Sequence, residues 1–214
     1  MNDNLLYENA LYFKTNILPY FFAFTGKRGT LLVETMEYNF AHLVGKQYTT
    51  NINISHMNTN EFYKKCLKKE LNIYDLIDID DFINLNQNQK KIFYKNIYFI
   101  NLFDSLINKI NVRMYSLDEE NTLKPLDIDY HHNEELKEYV NVLGIKGHDL
   151  DDMFSFASII HASSKKEISR FTYKKVINFH LSQIKRRDIG KYINDIDYII
   201  ESPRNATNNH LKIG

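Results

Sequence analysis

Tyr20-Phe21-Phe22-Ala23-Phe24 and Thr30-Leu31-Leu32-Val33-Glu34-Thr35-Met36 flank the link Thr25-Gly26-Lys27-Arg28-Gly29. Two glycines in a five-residue link between short apolar runs predict a β-hairpin. This excludes an all-helical chain. Working outward, residues 3–14 predict a helix, because Leu5, Leu6, Ala10 and Leu11 recur at helical spacing behind Asn2 and Asp3. Residues 60–71 place Phe62, Cys66 and Leu67 on one face and Lys64, Lys65, Lys68 and Lys69 on the other. Residues 89–111 give the clearest helical pattern, with Ile92, Phe99, Leu102, Phe103, Leu106, Ile107 and Ile110 at steps of three and four. Val112 to Leu117 predicts a strand. Helices are expected over 134–143, 151–162, 164–184 (opened by a Ser164/Glu167 capping box) and from Asp188 to about 200. The expected class is α+β: a small antiparallel sheet, helices in excess, and a helical C-terminal half. Residues 1–117 and 118–214 form the two expected regions.

Composition narrows the function. Of 214 residues 43% are hydrophobic, enough for a sizeable core, and 3 Pro with 7 Gly exclude a linker-like or collagenous chain. A single Cys excludes a disulfide framework or a cysteine-based zinc site and fits a reducing compartment. No apolar run reaches the length of a membrane span, and the start Met1-Asn2-Asp3-Asn4 lacks the basic region of a signal peptide. A cytoplasmic protein with no membrane partner is the expectation. Lys plus Arg balance Asp plus Glu at 27 each, which argues against coating nucleic acid by bulk charge.

The charge is nevertheless segregated. Residues 118–152 carry eleven carboxylates against three lysines, and residues 165–191 carry nine bases against two acids. The two segments would neutralise each other if adjacent, or form separate faces. In the basic segment Lys165, Lys166, Arg170, Lys174, Lys185, Arg186 and Arg187 alternate with Phe171, Tyr173 and Phe179. Cations interleaved with aromatics suit single-stranded RNA through phosphate contact and stacking. The same spacing also describes an amphipathic helix with a solvated basic face.

Other clusters read as structure. Gly26-Lys27-Arg28-Gly29 lacks the spacing of a phosphate-binding P-loop and reads as a charged turn. Asp127, Asp129, His131, His132, Glu134 and Glu135 have the atoms of a metal site but not the spacing of one, so no metal or cofactor is expected. His42 lies in Phe40-Ala41-His42-Leu43-Val44, where a strand would place Phe40, His42 and Val44 on one face. His56 follows fourteen residues later. Two imidazoles near a cation can cleave RNA: one takes the 2′-hydroxyl proton, the other protonates the leaving oxygen, and Lys or Arg stabilises the phosphorane. Lys46 and Arg113 are candidates for that cation on chemical grounds.

The stretch Asn39-Phe40-Ala41-His42-Leu43-Val44-Gly45, then Asn60-Glu61-Phe62-Tyr63-Lys64-Lys65-Cys66-Leu67, then a long helix from Lys90, resembles the phage-associated barnase–EndoU–colicin–RelE-like nuclease domains over about residues 5–110. The resemblance implies a compact sheet with helices and a metal-independent endoribonuclease, often a toxin or phage-defence effector with a cognate inhibitor or antitoxin. His42 is the residue it assigns by position. A second stretch, Arg204-Asn205-Ala206-Thr207-Asn208-Asn209-His210, resembles the HEPN ribonuclease motif and implies an alternative catalytic pair, Arg204 and His210. A third expectation is non-catalytic: a degenerate nuclease fold that binds a partner through its acidic face.

Overall fold

The computed structural model describes residues 4–27, 29–77, 85–108, 111–117, 122–127, 140–147, 153–162, 176–197 and 199. The fold is α+β. Helix α1 (Leu5–Tyr12) runs into a wider π turn (Phe13–Ile17) and then the hairpin, β1 (Tyr20–Gly26) and β2 (Gly29–Val33). Five helical segments follow: α2 (Glu37–Leu43), a 3₁₀ turn (Lys46–Tyr48), α3 (Ile52–Ser55), α4 (Thr59–Leu67) and α5 (Ile73–Leu76). Two further helices, α6 (Gln87–Ile97) and α7 (Phe99–Ile107), replace the single long helix of the sequence reading. They break at Tyr98, where φ is −90° and ψ is 0°.

The C-terminal half corrects the sequence reading. Its described residues are stranded: β3 (Asn111–Leu117), where the sequence predicts a strand, and then β4 (Thr122–Asp127), β5 (Val140–Gly147), β6 (Phe154–Ala162) and β7 (Val176–Lys185), followed by a short α8 (Ile189–Asn194). Runs such as Phe154-Ser155-Phe156-Ala157-Ser158-Ile159-Ile160 satisfy helical and strand periods alike over a few residues. Their aromatic and β-branched content and available backbone partners decide for strands. The basic segment is therefore no helix over 176–185. Its first part, 163–175, lies outside the described residues.

The strands close into a barrel in the order β1-β2-β6-β5-β4-β3-β7. Neighbours are antiparallel except β2 and β6, which meet in parallel at the single pair Val33 and Phe154. β7 pairs with both β1 and β3, so residues from 1–117 and from 118–214 share one sheet. β1 is buried on both faces, which explains its unbroken apolar run. Phe22 and Phe24 enter the large core with Leu31, Val33, Phe156 and the helices. Phe21 and Ala23 join Leu32 and Ile184 in a smaller core covered by Tyr192, Ile193 and Ile196.

The one-pair seam between β2 and β6 leaves an open edge on β6, and helices close it. Lys95 of α6 donates from Nζ to the Ile159 carbonyl, and to Ser158 Oγ at 3.0 Å. Asn96 of the same helix donates to the Val44 carbonyl at 2.9 Å and to the Ile92 carbonyl at 2.8 Å, while Asn9 of α1 donates to its Oδ1 at 3.1 Å. The orphan carbonyl at the end of α2 is thereby satisfied in a buried setting.

Gly45 ends α2 at φ +85°, a left-handed conformation that glycine adopts without strain. A Cβ there would lie 3.0 Å from Lys95 Cδ and 3.3 Å from Ile92 Cα. Gly45→Ala is expected to cost about 2 kcal/mol by combining backbone strain with overpacking. In thermal denaturation that is a Tm fall of roughly 4–8 °C. An unchanged Tm would show that α2 and α6 separate freely.

Candidate functional site

The segment 39–45 is a helix, not the strand expected for it. Phe40, Leu43 and Val44 fall at positions i, i+3 and i+4, which a helix buries together. Asn39 Oδ1 accepts the Met36 N–H at 2.8 Å and caps the first turn. Asn39, Phe40, Ala41, Leu43, Val44 and Gly45 are all buried, and His42 alone is exposed. Phe40 lies among Phe13, Tyr63, Phe99 and Phe62, with ring centroids 5.4, 5.2, 5.8 and 6.3 Å away. Packing accounts for six of the seven residues; His42 is exposed.

His56 ends α3 and is also exposed. Lys46 joins the two histidine-bearing segments. Its side chain is 7% exposed, and Nζ donates to the Ser55 carbonyl at 2.9 Å, one residue before His56. Burial lowers the Lys46 ammonium from its ordinary range. This geometry makes Lys46 a positioning residue between α2 and α3 instead of the phosphate-facing cation expected from sequence. Gln47 Nε2 reaches the His42 carbonyl at 3.5 Å. Tyr48, in the same 3₁₀ turn, carries Lys91 Nζ over its ring at 4.9 Å, and Lys91 is exposed. The sequence reading missed this pair because Tyr48 and Lys91 meet only through tertiary packing.

Arg113 sits in the barrel wall on β3, its backbone opposite Leu126 and Asn178. Lys185 is exposed at the end of β7, and exposed Arg187 has Nε 3.6 Å from Asp188 Oδ2. Arg186 is not a free RNA ligand. Its guanidinium pairs with Glu34, donates to the Leu18 and Thr35 carbonyls, and lies 5.2 Å from the Phe21 ring centre. It clamps the end of β7 to the residues that follow β2. Lys165, Lys166, Arg170, Lys174, Arg204 and His210 lie outside the described residues, as do Asp129, His131, His132, Glu134 and Glu135. Among the described residues no group of three or more His, Cys, Asp and Glu could hold a metal. Nor is any described helix long and apolar enough to cross a membrane. Cys66 is buried, which pushes its thiol up, away from the reactive thiolate.

Lys95 is 4% exposed, and burial with the nearby Lys91 charge lowers its ammonium to about 8. The folded state therefore releases this proton near pH 8, whereas the unfolded chain holds it to about 10.5. Between those values the unfolded state binds more protons, so the Lys95 contribution to stability rises with pH. Against Lys95→Met, the wild type should gain on the order of 3 kcal/mol from pH 8 to 10.5 in urea titrations. A pH-independent difference would show that the ammonium keeps its solvent value.

A concavity lies at the hairpin tip. The β1–β2 turn and the C-terminal end of α8 enclose a cleft of about 440 Å³, lined by Thr25, Gly26, Lys27, Gly29, Thr30, Tyr192, Asp195, Ile196 and Asp197. The sequence identified the turn but not its opposing wall, which is 162 or more residues away in the chain.

Comparison of the chain with protein-family models, curated proteins and solved structures gave no match.

Proposed function

We propose that this chain is a metal-independent endoribonuclease of the toxin or phage-defence type, with His42 and His56 as its acid–base pair. The observation that carries this reading is the exposure of His42: every other residue of 39–45 is buried, and His42 alone is solvent-accessible. Support comes from the tie between Lys46 Nζ and the Ser55 carbonyl, which anchors the loop after His42 to the end of the helix preceding His56. In the reaction, one imidazole removes the 2′-hydroxyl proton, and that oxygen attacks the adjacent phosphorus. The other imidazole protonates the departing 5′ oxygen, leaving a 2′,3′-cyclic phosphate. Lys91, exposed and seated on Tyr48, is a cation able to meet the phosphate.

The test is cleavage of a labelled single-stranded RNA by the full chain in the presence of a chelator. The expected products end in a cyclic phosphate, and His42→Ala and His56→Ala each suppress them. Absence of cleavage by the wild type would overturn the reading in favour of a non-catalytic binding protein.

A further inference from the structure

We propose that the cleft between the β1–β2 turn and α8 binds a small zwitterion of dipeptide size, carrying an ammonium and a carboxylate on an apolar frame. The volume of about 440 Å³ lies within the range of small-molecule sites. Its walls carry opposite charge. Lys27 stands on the hairpin wall; Asp195 and Asp197 stand on the α8 wall. None of the three has an ion-pair partner among the described residues. The floor is apolar: Tyr192 and Ile196 pack against the small core of Phe21, Ala23, Leu32 and Ile184. Thr25 and Thr30 hydroxyls bond to each other at 3.0 Å, which leaves one O–H free to donate. Gly26 and Gly29 lack side chains, so the hairpin wall stays open.

The charge arrangement selects the ligand. Among the described lining residues a simple anion would meet two carboxylates for one ammonium. A simple cation would meet Lys27 on the facing wall as a like charge. A molecule with both groups meets Asp195 and Asp197 with its ammonium and Lys27 with its carboxylate, its apolar middle lying on Tyr192 and Ile196. This site is separate from the histidines and does not rest on the ribonuclease reading.

Isothermal titration with phenylalanyl-alanine, its N-acetyl form and its C-terminal amide tests the proposal on the full chain. The zwitterion should bind with a Kd of about 1 mM or tighter, and each capped form roughly tenfold more weakly. Lys27→Met should make free acid and amide bind equally. Asp195→Asn with Asp197→Asn should make amine and acetylated forms bind equally. All three residues are exposed, so Tm should hold within about 2 °C. Absence of binding at about 10 mM, equal binding of capped and free forms to the wild type, or discrimination that survives both variants would overturn it. The comparison of capped forms uses the wild-type protein alone and does not depend on how a variant folds.

Discussion

His42→Ala is expected to slow RNA cleavage by about 10²–10⁴-fold, the usual contribution of a positioned general acid or base. Stability should stay within about 0.5 kcal/mol, since the side chain is exposed on α2. These two expectations together make the test specific. A surface histidine of no catalytic role would leave both rate and Tm unchanged. A histidine that held α2 in place would lower both. A role in the reaction lowers the rate alone, and proton transfer lowers kcat whereas a binding contact raises KM. His56→Ala should show the same separation, and the double variant should fall little further than the worse single one, because the two imidazoles act in one step. Cleavage at the wild-type rate in His42→Ala would end the ribonuclease assignment to this pair.

Phe40→Ala should give the opposite pattern two residues away. The ring is fully buried and touches Phe13, Phe62, Tyr63 and Phe99. Removing it leaves a cavity among four other rings, and cavities at large buried aromatics cost about 3–5 kcal/mol. A Tm fall of roughly 10 °C is expected, with cleavage retained well below the new transition. A loss of less than about 1 kcal/mol would show that the helices collapse onto the gap, and that α2 is not held by this cluster.

Much of the N-terminal half is legible from local pattern. Gly26 and Gly29 mark the hairpin, and Phe62, Tyr63 and Cys66 mark the buried face of α4. The segment 39–45 was misread because Phe40, His42 and Val44 fit a strand, whereas Phe40, Leu43 and Val44 fit a helix and supply more apolar area to one face. The candidate site was legible as residue types, with His42, His56 and Lys46 all named from sequence. Their roles were not. Lys46 faces inward to Ser55, and Arg186 is consumed by Glu34 and two carbonyls. A sequence shows that a residue is cationic but not which acceptor will surround it.

The sequence by itself determined the elements whose evidence is local: the turn between two glycines, the capped helices, and the absence of a long apolar span. Only tertiary structure decided that 140–185 supplies strands. Short apolar runs there are compatible with either backbone, and the choice follows from which edge offers hydrogen bonds. β1 offers one edge to β2 and the other to β7, and β6 must pair with β5 to bury Phe154, Phe156 and Ile159. The β1–β7 partners are 155 to 165 residues apart, whereas β5 and β6 pair across 7 to 22. Burying unpaired backbone N–H and C=O groups would cost more than local propensity can offset, so the distant edge prevails.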